Sequence, residues 1–325
     1  MLLKGPNKDS DLESFQVTND FIKKANETAM KEFFAHKPDD LYCIILLRSG
    51  TLKMNGCTLS LDGVFKETHK KIPCIAAMPE SRIEIFDCNL KGDTVNDADT
   101  AGLLSINADV SVKHCKFAHF KSGGMMVMAL PQNIVYISNN TVISCETAGI
   151  YLQGRASKPV VANNKIKFCR CTAITTNLDV DSNIYANEMC LNEQGIEILN
   201  NKSRCIDNVI DKAHDNGISV IGDDKSTKCT PCIWRNKIRS CGTNGIHVSG
   251  GQCDPDIRGN IILMCRKSGL KLTKNAIAHI GGTTKADIKF IPSVKDGNTM
   301  LNATFETAKV EAVRNYRTAR GISLA

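Results

Sequence analysis

One phrase returns along this chain at short, regular intervals. It starts with an Asn and an apolar residue two places on, often followed by a Cys three further. A Gly-Ile step or close variant then opens an alternating segment. Asn140, Val142 and Cys145 precede Gly149-Ile150, and Asn164, Ile166 and Cys169 precede Ala173-Ile174. Asn187 and Met189 lead to Gly195-Ile196, and Asn208 and Ile210 to Gly217-Ile218. Asn236, Ile238 and Cys241 lead to Gly245-Ile246, and Asn260, Ile262 and Cys265 to Gly269-Leu270. The Gly-Ile positions are separated by 24, 22, 22, 28 and 24 residues, while the gap from Asn to Gly stays at eight or nine. Length therefore varies mainly between Gly-Ile and the next Asn, and Gly222–Lys228 must bulge from a corner. Looser copies around Cys57, Cys88 and Cys115 put Cys where later copies have Asn.

A period this short marks a solenoid. Ile150-Tyr151-Leu152 and Ile246-His247-Val248 alternate with period two, which is a strand pattern, and no copy holds the 3.6-residue periodicity of a helical repeat. A strand of three to five residues is unstable alone. Stacked at about 4.8 Å per coil, its backbone groups pair above and below, and like side chains form columns around a dry core. The expected fold is an all-β solenoid, a right-handed parallel β-helix of about ten coils over residues 41–292. The leading Gly is read as permitting a left-handed or tight turn. The Asn is read as tolerating the left-handed region and bonding neighbouring backbone and its own copies. The Cys suits a corner too tight for Leu.

Open ends of such a stack invite aggregation. Residues 1–40 are read as an N-terminal helical cap, because apolar residues recur at helical spacing from Val17 through Phe21, Ile22, Ala25, Ala29 and Met30 to Phe33 and Phe34. Residues 293–325 are read as a C-terminal cap with a short amphipathic helix from Phe305 to Tyr316.

Composition bears on the compartment. Fifteen cysteines would suit a secreted disulfide scaffold. However, their number is odd, many fill repeat positions, and Met1 to Pro6 run into polar residues without an apolar signal run. They are read as buried thiols of a cytoplasmic protein. No stretch approaches a membrane span. The charge of +7, from 41 basic and 34 acidic residues, is spread along the chain, so nucleic acid is not the expected partner.

Carboxylates, thiols and imidazoles are the side chains that could carry chemistry. Asp223 and Asp224 sit in the longest corner insertion, with Asp109, Asp179, Asp181, Asp215 and Asp254 at other turns. Glycoside hydrolysis needs two carboxyls facing one cleft at about 5 to 9 Å; Asp109 and the pair at 223–224 are several coils apart. Cys229 and Cys232 have half-zinc spacing, which Cys241 and Cys253 would complete only if corners converged. His114, His119, His214, His247 and His279 are scattered. Aromatics make up only 5% of the chain, with Trp234 its single Trp, which argues against sugar subsites. No catalytic, metal or cofactor-binding residue is assigned.

The phrase at 236–248 and 260–272 resembles the right-handed β-helix repeats of the pectin-lyase-like superfamily. Within it, the chain looks most like the non-enzymatic branch of the F-box protein 11 and SHC SH2-domain-binding protein 1 types, over about residues 41–292. That resemblance implies a protein-binding scaffold or a component of a larger cytoskeletal or ciliary assembly. No F-box is recognisable, so a ligase role is not carried over. The partner expected is a protein, without cofactor, membrane or nucleic acid. The competing reading is a polysaccharide lyase or glycoside hydrolase working in a groove along the β-helix.

Overall fold

The computed structural model of the chain describes residues 2–4, 43–62, 72–95, 99–154, 157–222, 228–274, 276–280, 288–291, 293–295 and 298–300. Every regular element among them is a strand. One coil shows the plan. Ala148–Gln153 lies in sheet 1, Val160–Ala162 in sheet 2 and Lys165–Lys167 in sheet 3, after which Thr172–Asn177 returns to sheet 1. Sheet 1 has ten strands, from Ile45–Leu47 to Ser268–Thr273, and sheet 3 has ten, from Thr58–Ser60 to Ile288–Ile291. Sheet 2 has eleven, because Leu2–Lys4 adds in parallel register beside Lys53–Asn55 and continues the sheet beyond Gly50–Asn55. The fold is thus the expected right-handed parallel β-helix of about ten coils. The helices expected at 17–34 and 305–316 lie outside the described residues. Farther on, Ser293–Lys295 pairs antiparallel with Asn298–Met300.

Columns form as period-two strands require. Ile150, Ile174, Ile196, Ile218, Ile246 and Leu270 are consecutive register partners in sheet 1, each 0 or 1% exposed. Ile137, Val161, Ile184, Cys205, Ile233 and Ile257 make the inward column of sheet 2. Val142, Ile166, Met189, Ile210, Ile238 and Ile262 make that of sheet 3. Together they form one continuous core along the stack.

The Asn column is a hydrogen-bond ladder. Each amide Nδ2, from Asn140 through Asn164, Asn187, Asn208 and Asn236, donates to Oδ1 of the next Asn at 2.9–3.0 Å, ending at Asn260. The backbone N of each donates to that same oxygen. Nδ2 also reaches back to a sheet 2 carbonyl, as from Asn140 to Val112 and from Asn164 to Ile137. A buried amide with its donors and acceptor engaged fixes this corner at no net cost of unmade bonds.

Two expectations about corners need correction. The ladder Asn residues do not themselves occupy the left-handed region. The residue before each does: Asn139, Asn163, Ala186, Asp207 and Arg235, then Gly259. A second left-handed corner precedes the Cys position, at Ser144, Phe168, Leu191, Lys212, Ser240 and Met264. The Gly of the Gly-Ile step is required by closeness and not by φ. A Cβ on Gly149 would lie 2.7 Å from the Ala173 carbonyl oxygen and 2.8 Å from Ile166 Cγ2 of the next coil. The Cys reading holds: Cys145, Cys169, Cys241 and Cys265 are buried in that corner.

Candidate functional site

Outward residues of sheet 2 form two columns that carry two of the described tyrosines and the single Trp. One runs Tyr136, Val160, Asn183, Arg204, Cys232, Asp256, His279. Its neighbour runs Lys113, Ser138, Ala162, Tyr185, Ile206, Trp234, Arg258. Burial, and then the neighbouring Tyr136, hold the Tyr185 pKa up. Cations pack on the rings at either end. Lys113 Nζ is 4.9 Å from the Tyr136 ring centre, and Arg258 Cζ is 5.7 Å from that of Trp234. Between them, Tyr136, Val160, Asn183, Tyr185, Arg204, Ile206 and Asp207 enclose a shallow hollow of about 430 Å³. The low aromatic share of the sequence argues against sugar subsites, yet the fold gathers Tyr136, Tyr185 and Trp234 on one face.

The arginines on this face are already paired. Arg204 meets Asp181 at 3.6 Å, Arg258 meets Asp256 at 2.6 Å, and Arg235 makes two 2.8 Å bonds to Asp207. The Arg235 guanidinium holds the Asp207 carboxyl below its ordinary pKa.

A second cleft, about 440 Å³, opens at the corner between sheets 3 and 1. It is lined by acidic and basic residues of successive coils, among them Asp93, His119, Lys121, Glu146 and Arg170, with Phe168 half exposed beside them. Here Arg170 Nη1 donates to Glu146 Oε1 at 3.1 Å, and Asp93 Oδ1 accepts from the Val95 backbone N at 2.9 Å. The sequence signal for this corner was the residue after Cys145 and after Cys169, where Glu146 and Arg170 are opposite in sign.

The residues singled out by the sequence are not brought together. Asp223 and Asp224 lie outside the described residues. Asp109 accepts from the Ile134 N, Asp215 accepts from the Thr243 hydroxyl, Asp254 faces His279 at 3.0 Å, and Asp179 occupies a left-handed turn. Cys229 pairs with Cys253 in an isolated parallel bridge, whereas Cys232 faces outward between Arg204 and Asp256. Cys241 stacks beside Cys265, so the four thiols considered for zinc are spread over three columns. Among the described residues no group of three or more His, Cys, Asp or Glu is placed to hold a metal. His114 edges onto Phe86, and His247 contacts Thr273 Oγ1 at 3.1 Å. Burial, then Lys271, keeps the His247 imidazole below its ordinary pKa.

No helix among the described residues is long and apolar enough to cross a membrane. No curated protein matches the chain, so the finer resemblance to the F-box protein 11 and SHC SH2-domain-binding protein 1 types gains no support. A solved structure described as a new PL6 alginate lyase complex with trisaccharide is similar over 96% of both chains at 8% identity, with a TM-score of 0.23. A family model described as the right handed beta helix region matches residues 42–228. Matched over more than half its length and wound from three parallel sheets, the chain belongs to that right-handed beta helix family.

Proposed function

We propose that the chain is a non-enzymatic protein-binding scaffold and that the outer face of sheet 2 is its recognition surface. The observation that carries this is the gathering of Tyr136, Tyr185 and Trp234 with Arg204 and Arg258 on one sheet. Trp, Tyr and Arg are the side chains that most often dominate binding energy at protein interfaces. A β-helix holds them on a rigid grid with rungs about 4.8 Å apart, so little ordering cost is added on binding. The in-face ion pairs also leave this surface without a strong field of one sign.

The test compares the unaltered chain with Tyr185→Ala, Trp234→Ala and the sheet 3 control Lys165→Ala, each checked for β content and melting. Proteins enriched by the unaltered chain are purified and their binding measured directly. Either ring substitution is expected to cost roughly 2 kcal/mol or more of affinity, and the control close to nothing. Equal binding by all four chains would overturn the assignment to sheet 2.

A second reading, a polysaccharide lyase or hydrolase, is favoured by the corner cleft, where acid and base residues of adjacent coils meet. Incubation with acidic polysaccharides decides it. Cleavage that is lost in Glu146→Gln would replace the scaffold reading.

A further inference from the structure

Cys57, Cys88 and Cys115 stack in three successive coils, continuing the Asn ladder toward the N-terminal end. The Cys57 backbone N donates to Cys88 Sγ at 3.4 Å, and that of Cys88 to Cys115 Sγ at 3.4 Å. The Cys115 N then reaches Asn140 Oδ1 at 2.9 Å. Thiols thus take the place of amide oxygens in one unbroken column. Cys88 and Cys115 are 3% and 2% exposed, while Cys57 is only partly buried, beside Thr58–Ser60, the terminal strand of sheet 3.

We propose that Cys57 and Cys88 form an oxidation site, in which a small disulfide such as glutathione disulfide converts the two thiols into a bond that ties the first coil to the second. Register neighbours one rung apart fall inside the roughly 4.4–6.8 Å Cα window of a disulfide. In the first step the Cys57 sulfur, as thiolate, attacks one sulfur of the small disulfide. The small S–S bond breaks and one small thiolate leaves. In the second step the Cys88 thiolate attacks Cys57 Sγ and expels the second small thiol. The two protein thiols lose two electrons and two protons, and the small disulfide is reduced to two thiols.

The column suits the two cysteines to these parts. The Cys115 thiol, against the effect of burial and helped by the Cys57 backbone N–H, brings the Cys88 pKa down to about 7. A resolving thiolate is therefore present near neutrality. Partial burial and the neighbouring Cys88 raise that of Cys57, so the first exchange is the slow one and quickens at higher pH. The other stacked pairs, Cys145 with Cys169, Cys229 with Cys253 and Cys241 with Cys265, are buried at both sulfurs and closed to the reagent. Among the described residues Thr58–Ser60 ends sheet 3, so beside Cys57 the first coil pairs on one side only and gains most from a tie.

The full chain is equilibrated with glutathione and glutathione disulfide over a range of ratios, quenched by alkylation and mapped by peptide mass. The expected product is a peptide pair joined through Cys57 and Cys88, absent in Cys57→Ser. Amide exchange over residues 50–60 is expected to slow at least about tenfold on oxidation. A lasting glutathione adduct on Cys57, a bond from either cysteine to another thiol, or thiols untouched at every ratio would overturn it. Because the map is read on the unaltered chain, it does not depend on any variant folding.

Discussion

Asn140 is where the amide ladder hands over to the thiol column, and it is the most instructive single residue of the stack. Its Oδ1 accepts from the Cys115 N at 2.9 Å, and its Nδ2 donates to the Val112 carbonyl and to Asn164 Oδ1, both at 3.0 Å. Asn140→Ala orphans buried groups on two coils and is expected to cost about 2 to 4 kcal/mol by chemical denaturation. Asn140→Cys keeps an acceptor for the Cys115 N, as Cys115 does for Cys88, and should lose roughly half as much. Equal losses in the two variants would show that the thiol is only a filler in this column. That such a column exists was legible in the sequence, because Asn recurs at fixed offsets and Cys takes its place upstream. The left-handed corners were not. Ala186, Arg235 and Phe168 hold φ of 54–60° although none is Gly, Asn or Asp. Such a residue pays roughly 1–2 kcal/mol locally, and the stacking that compensates has no local signature.

Between neighbouring elements, the Gly-Ile step shows how one coil's choice constrains the next. The Cβ missing from Gly149 would strike Ile166 Cγ2 and Cys169 Sγ, and that missing from Gly245 would lie 2.3 Å from Ile262 Cγ2. Ala173 carries a Cβ at the same position. The coil that follows it has Met189 in the sheet 3 column and Asn192 at the corner, where the others present a β-branched Ile or Val and, in most coils, Cys. Met is unbranched at Cβ and leaves the space that an Ile Cγ2 would fill. Met189→Ile should therefore destabilise the chain by about 1–3 kcal/mol through overpacking. Ala173→Gly should recover most of that loss, giving a coupling of at least about 0.5 kcal/mol in a double-mutant cycle. Additive effects would mean that the two sites do not share this contact. The sequence displayed Ala173 as a variant of the phrase but not its reason, which lies 16 residues on, across the coil. The sheet 2 face was hidden for the same kind of reason. Tyr136, Tyr185 and Trp234 are far apart in the chain, and the rungs between them bring in Val160 and Ile206, so no local motif announces the surface.

At the scale of the whole molecule, each coil touches mainly its neighbours, so a complete coil should be removable while a fraction of one is not. Deleting residues 140–163 removes the 24 residues from one ladder Asn to the next and joins Asn139 to Asn164. Asn139 already occupies the left-handed region, as Asn163 does, so the junction keeps its local geometry. Cys115 then meets Asn164 as it met Asn140, and Gly124 faces Ile166 and Cys169 in place of Val142 and Cys145. This shortened chain should keep the β signature of the parent and unfold cooperatively at a modestly lower denaturant midpoint. Deleting residues 187–207 is the same operation on the ladder, since it joins left-handed Ala186 to Asn208. Yet it brings Ala173 against Ile210, whose Cγ2 lies 2.7 Å from where a Cβ on Gly195 would stand. That deletion should be the less stable of the two until Ala173→Gly is added. Denaturant midpoints of the three shortened chains settle the matter. If the first deletion fails to fold, or if Ala173→Gly leaves the second unimproved, stability does not reside in contacts between adjacent coils.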